Sequence, residues 1–306
     1  MFRGAYTALV TPFKNGQVDY PAFEALIENQ IAKGIDGLVP CGTTGESPTL
    51  TEKEHGEVIA FAVKTARKRV PVIAGTGSNS TAEAIHYTKH AKEVGADAAL
   101  VVCPYYNKPN QRGILAHFKA VADAVNIPII IYNIPGRSVI NITPETLAEL
   151  SNHRNIVGVK ESSGSLDQFI KIKSLCRPDF DLISGDDPYT LPILSVGGVG
   201  VISVISHLLP QETSRIVHSY LEGKTDESRD LFMKHIELTK AVLSADVNPI
   251  GIKTALALRG QLNEEFRLPL VPMTAEAKEA LRQTLDRNGL LAAAGKTPST
   301  SSGRGR

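Results

Sequence analysis

Short apolar runs recur along the chain at intervals of roughly 25 to 30 residues, and amphipathic stretches separate them. The runs are Ala5–Val10, Gly37–Pro40, Val72–Thr76, Ala98–Cys103, Ile127–Tyr132, Ile156–Lys160, Asp181–Ser184 and Val199–Val204. They are too short for helices, rich in β-branched residues and not alternating, the pattern of strands buried on both faces. Helix-start signals fall between them: Asp19 ahead of Pro21, Thr51 ahead of Glu52, Ser80 ahead of Glu83, and Thr143 ahead of Pro144. Eight alternations of strand and helix predict an α/β fold, a (β/α)8 TIM barrel. A doubly wound open sheet is the structural rival. It would more often carry a G-x-G-x-x-G or G-x-x-x-x-G-K-[ST] fingerprint, and neither occurs.

The pattern changes after the eighth run. From Gln211 to about Asn288 the sequence is helical and free of strand signals, with helices expected at Glu212–Leu221, Asp226–Leu243, Ile250–Leu258 and Thr274–Arg287. The expected organisation is therefore a catalytic barrel over residues 1–224, a C-terminal helical layer over 225–291, and a tail over 292–306 whose small, polar and basic composition reads as disordered.

Composition narrows the function. The 306 residues include 33 basic and 32 acidic ones, a formal net charge of +1, so no electrostatic footprint for nucleic acid or an anionic membrane is present. No run of eighteen apolar residues and no signal-peptide pattern occurs, and a soluble cytoplasmic protein is expected. Cys41, Cys103 and Cys176 lie far apart without metal-ligand spacing, so neither a disulfide framework nor a metal site is expected. Asp186-Asp187 has no third ligand nearby and reads as a helix N-terminus.

In a barrel the chemistry sits at the C-terminal ends of the strands, and here those ends carry reactive residue types. Lys160 closes the sixth run and enters the mouth of a buried sheet, where a low-dielectric setting disfavours the cation and frees the amine as a nucleophile. Taken singly, a strand-end lysine can equally snorkel to water. The second run ends in Cys41-Gly42-Thr43-Thr44-Gly45-Glu46, a tight turn able to aim successive backbone N–H groups at a carboxylate, or simply a turn. Tyr105 and Tyr106 follow the fourth run, Tyr132 ends the fifth, and Arg137 stands just beyond it. A lysine for imine formation, hydroxyls for proton transfer, an N–H nest for one carboxylate and an arginine for a second together describe a class I aldolase-type site.

Gly42-Thr43-Thr44-Gly45-Glu46, Tyr132-Asn133-Ile134-Pro135-Gly136-Arg137 and Gly158-Val159-Lys160-Glu161 resemble the motifs of the dihydrodipicolinate synthase family, among the pyruvate-dependent lyases that include N-acetylneuraminate lyase. The resemblance spans roughly residues 1 to 290. It implies that Lys160 forms a Schiff base with pyruvate, and that Thr43, Tyr132 and Tyr106 relay protons. Thr43 and Thr44 would hold the pyruvate carboxylate, Arg137 the carboxylate of L-aspartate 4-semialdehyde, and Gly185 and Ile202 would line the pocket with backbone groups. It implies no cofactor and no metal. It further implies a homotetramer, a dimer of tight dimers, in which Tyr106 reaches into the neighbouring subunit's site.

The end product L-lysine is the implied effector, held by Ser47, Pro48, Glu52, His55, Asn79, Glu83 and Tyr105. Pro48 and Glu52 depart from the residues common in lysine-sensitive members. Glu83 supplies the anionic partner an ammonium needs on leaving water, while Asn79 and Tyr105 can hydrogen-bond a carboxylate. Two further functions fit the same barrel: a keto-deoxy-sugar aldolase using the same enamine, and a catalytically silent metabolite-binding protein. Arg137 argues against the first and the imine lysine against the second.

Overall fold

The computed structural model describes residues 2–291. Its main sheet has eight parallel strands, one to eight in chain order: Gly4–Ala8, Gly37–Val39, Ile73–Gly75, Ala98–Val102, Ile129–Asn133, Ile156–Glu161, Asp181–Ser184 and Gly200–Ser203. Strand one pairs with both two and eight, and a bridge between Leu38 and Val72 joins two to three, closing the sheet into a barrel. All eight expected strands are present, with ends shifted by up to two residues. A hairpin of Phe13–Lys14 with Gln17–Val18 was not expected, because arms of two residues are too short to leave a period in the sequence.

The helix-start signals act as caps. Asp19, Thr51, Ser80 and Thr143 each accept a backbone N–H of the first helical turn, and Thr51 with Glu54 forms a reciprocal capping box. Helix Pro210–Leu221 packs on strand one and completes the outer ring. Helices Thr225–Ser244, Ile250–Leu258 and Ala275–Arg287 follow, within two residues of expectation. Their Leu238, Val242, Ile250, Ile252 and Leu256 share one apolar cluster with Val10, Leu26 and Leu208 of the barrel. Each such buried side chain contributes roughly 1.5–3 kcal/mol relative to exposure, which holds this layer against the barrel mouth. No helix among the described residues is long and apolar enough to cross a membrane. Residues 292–306, the expected disordered tail, lie outside the described residues.

The barrel interior is filled by Tyr6, Ala8, Val39, Ile73, Leu100, Ile130, Tyr132, Ile183 and Ile202. Strand register decides where Lys160 goes. A register shift between strands five and six inserts Val157, after which Gly158 pairs with Ile130, Val159 with Ile131 and Lys160 with Tyr132. On its other side Lys160 pairs with Ile183. Both partners face the interior, so Lys160 does too, and Glu161 faces the surrounding helices.

Candidate active site

Lys160 is 6% exposed, and its Nζ sits 4.0 Å from the centroid of the Tyr132 ring. Its arm has room because position 185 is glycine: a Cβ there would lie 3.1 Å from both Cγ and Cε of Lys160 and 2.0 Å from Ser162 Oγ. Gly185 thus shapes the seat of the lysine, while Ile202 is fully buried in strand eight. Burial pushes the Asp186 carboxyl up, and the Lys160 ammonium and Ser162 hydroxyl act against that rise. Asp187 is buried and bonded to strand eight and the turn after it. Its carboxylate accepts the Ser203 hydroxyl at 2.5 Å and the backbone N–H groups of Val204 and Ile205 at 3.0 and 3.1 Å, capping a short turn after strand eight. As expected, the pair stands at a helix N-terminus, with Asp186 preceding and Asp187 opening the short turn Asp187–Tyr189, and the Asp187 carboxylate in addition caps the turn that begins at Ile205.

Across the barrel mouth, the turn after strand two is tied by Gly45 N–H and Glu46 N–H donating to the carbonyls of Gly42 and Thr43, both at 3.1 Å. The N–H groups of Thr43 and Thr44 donate to no backbone acceptor among the described residues, and they leave a concave pair of donors suited to a carboxylate. Thr44 is nearly buried, and its Oγ1 accepts Asn248 Nδ2 at 3.1 Å. The Asn248 carbonyl in turn accepts Arg137 Nη2 at 2.9 Å. Asn248, from the turn before helix Ile250–Leu258, therefore links the turn after strand two to Arg137. Sequence reasoning missed it, since an asparagine more than 200 residues from Thr44 leaves no local signal.

A cavity of about 380 Å³ opens beside these parts, lined by Gly42, Thr43, Tyr132, Ile134, Arg137 and Ser138; Lys160 is not among its lining residues and stands behind the ring of Tyr132, 4.0 Å from its centroid. The same cavity is also lined by Ser47, Pro48, His55, Glu83 and Tyr105, most of the expected effector set, and by Tyr87, which was not expected. Glu83 accepts the Ser78 hydroxyl at 2.7 Å. His55 packs against Tyr87, with ring centroids 4.5 Å apart, and burial lowers its pKa to about 4. Two expected members stand apart. Glu52 pairs with His86 at 2.8 Å on the exposed helix surface. Asn79 does not line the cavity, and its carbonyl accepts Asn107 Nδ2 at 2.8 Å. Tyr106 is 87% exposed, with a left-handed backbone (φ 72°), and does not line the cavity of its own chain.

A strand-end lysine inside a (β/α)8 barrel, facing a phenol and an N–H nest with an arginine at the rim, defines a lyase of the Schiff-base-forming, class I aldolase type. The family can be given as well. The model of the dihydrodipicolinate synthetase family matches residues 1–288, and the chain belongs to that family. A relative from Endomicrobium trichonymphae named 4-hydroxy-tetrahydrodipicolinate synthase is 53% identical over 292 residues, covering 95% of this chain and 100% of the relative. The crystal structure of dihydrodipicolinate synthase from Aquifex aeolicus is 49% identical with a TM-score of 0.93, over 94% of this chain and 99% of that one. The enzyme from Cyanidioschyzon merolae, solved with lysine bound, is 45% identical with a TM-score of 0.91, over 95% of this chain and 99% of that one.

Proposed function

We propose that the chain condenses pyruvate with L-aspartate 4-semialdehyde to give 4-hydroxy-tetrahydrodipicolinate, the committed step of lysine and diaminopimelate biosynthesis. The observation that carries this reading is a buried Lys160 packed on Tyr132, whose ring lines the same cavity as Thr43 and Arg137. The Lys160 amine attacks the keto carbon of pyruvate, and loss of water gives the imine. The imine draws electrons from the adjoining C–H bond, so the methyl group loses a proton and becomes an enamine. The enamine carbon then adds to the aldehyde carbon, and the resulting alkoxide takes up a proton. Finally the amino group of the second substrate attacks the imine carbon, closes the six-membered ring and releases Lys160 as the free amine.

Tyr132 and Thr43 carry protons to and from these centres, with the partner subunit's Tyr106 completing the relay. The exposure of Tyr106 in its own chain supports that arrangement, within a homotetramer built as a dimer of dimers. The barrel, residues 1–224, holds the reacting groups, and the layer 225–291 closes the site through Asn248. Gly185 and Ile202 line the pyruvate end, and no cofactor or metal enters the scheme. L-lysine is the effector, bound by Ser47, His55, Asn79, Glu83 and Tyr105, a reading supported by the lysine-bound relative. The protein works in the cytoplasm.

A panel of aldehydes offered with pyruvate tests the assignment. The semialdehyde should exceed sugar-derived aldehydes in kcat/KM by roughly a thousandfold, because only it supplies a carboxylate for Arg137. Equal or better turnover of a sugar aldehyde would reassign the chain to keto-deoxy-sugar cleavage, and no turnover of any would leave a binding protein.

A further inference from the structure

Glu161 follows Lys160 in strand six, points away from the barrel interior and is fully buried. Every group that meets its carboxylate is a donor. Asn133 Nδ2 lies 3.2 and 3.0 Å from its two oxygens, Gln168 Nε2 lies at 3.0 Å, and the Ser163 backbone N–H at 2.6 Å. Burial pushes the carboxyl up, and hydrogen bonds from Asn133, Ser163 and Gln168, with no cation among them, act against it. The carboxamides continue outward. Asn133 Nδ2 also donates to Asn141 Oδ1 at 2.7 Å, Asn141 Nδ2 donates to Gln168 Oε1 at 2.7 Å, and Asn133 Oδ1 accepts the Ile142 backbone N–H at 3.0 Å.

The consequence lies in the chain path. Asn133 and Ile142 flank the segment 134–141, and Arg137 stands within it. An Asn side chain can be turned over at little cost unless its partners distinguish oxygen from nitrogen. Here they do: an ionised carboxylate can only accept, so Asn133 must present Nδ2 to Glu161 and Oδ1 to Ile142. Turned over, it would set oxygen against carboxylate and NH2 against N–H. We propose that Glu161 is a positioning residue for the second substrate: it fixes the orientation of Asn133, which anchors the segment carrying Arg137. One strand end thereby serves both substrates, Lys160 inward through the imine and Glu161 outward through the arginine segment. This inference rests on the proposed role of Arg137.

Glu161→Gln tests it, since the new NH2 faces donors. The KM for the semialdehyde should rise by roughly tenfold, the effect of about 1.4 kcal/mol, with the KM for pyruvate and the yield of borohydride-trapped adduct unchanged. Amide exchange at Ile142 should quicken by a similar factor. In an Arg137→Ala background the same substitution should add nothing to the loss. Should Glu161→Gln fail to fold, Gln168→Met removes one donor to Glu161 together with its bonds to Asn141, places no donor against another, and should show the same split at smaller size. Parallel changes in both KM values, unaltered exchange at Ile142, or additivity with Arg137→Ala would each overturn the proposal. The exchange measurement needs no turnover, so it decides on Glu161 even if the wild type proves not to condense the semialdehyde.

Discussion

Replacing Lys253 by methionine should destabilise the chain and weaken pyruvate binding together, because this buried lysine holds the turn that carries Thr43 and Thr44. Lys253 and Glu46 have side chains 0% and 1% exposed, with Nζ 2.5 Å from Oε1. The ammonium also donates to the Glu265 carbonyl at 2.6 Å and sits 4.4 Å from the Phe13 ring centroid. The other Glu46 oxygen has the Arg267 N–H at 3.2 Å. Removing the ammonium leaves a buried carboxylate with that single donor, which costs roughly 3–5 kcal/mol for a pair broken on one side. At about 2 °C per kcal/mol for a chain of this size, Tm should fall by roughly 6–10 °C. Glu46 directly follows Thr44-Gly45 with a left-handed backbone (φ 54°), so a displaced carboxylate moves the nest and should raise the KM for pyruvate. The double variant Glu46→Gln, Lys253→Met removes the unpaired charge, and its carboxamide oxygen can accept from Arg267 N–H. It should regain more than half of the lost Tm. Thermal melts of the three proteins with parallel initial-rate assays are the measurement. A single variant within about 2 °C of wild type, or a double variant no more stable than the single, would refute the reasoning.

Three other outcomes are expected. Burial holds His55, His117 and His207 at about 4 against an ordinary 6.5, so below pH 6.5 the unfolded chain takes up protons that the folded chain refuses. Stability should therefore fall as pH drops from 6.5 towards 4, by up to roughly 3 kcal/mol per histidine, read as a lower urea midpoint at pH 4.5 than at pH 7.5; an unchanged midpoint would contradict it. Arg137→Ala should still form the pyruvate imine but lose roughly a hundredfold in kcat/KM for the semialdehyde, and unchanged condensation kinetics would remove Arg137 from its role. L-lysine titrated with pyruvate saturating should inhibit the wild type, and Glu83→Ala should raise the half-inhibiting concentration by roughly tenfold or more; a wild-type rate unmoved by millimolar lysine would end the effector assignment.

The barrel was legible because its signals are local. Each buried strand leaves an apolar run, and the caps Asp19, Thr51, Ser80 and Thr143 sit where the helices begin. The groups at the strand ends were legible for the same reason, since strand direction alone places Thr43, Tyr132 and Lys160 at one mouth. What was not legible is carried by side-chain contacts between distant segments. Asn248 reaches Thr44, Lys253 reaches Glu46, and Glu161 meets Asn133 from the end of another strand and Gln168 from a helix, both bonded in turn to Asn141 of a loop. No spacing or period encodes such meetings. Tyr106 marks another limit: its side chain is exposed on a turn with a left-handed backbone, and the role proposed for it requires a second copy of the chain.

The central claim is that Lys160 is the imine-forming nucleophile. Intact-protein mass spectrometry after incubation with pyruvate and borohydride tests it most directly, with peptide mapping of the reduced adduct. One pyruvyl group per chain, mapped to Lys160 and absent from Lys160→Ala, is the predicted result. No mass gain in the wild type, or an equal gain in Lys160→Ala, would contradict the account.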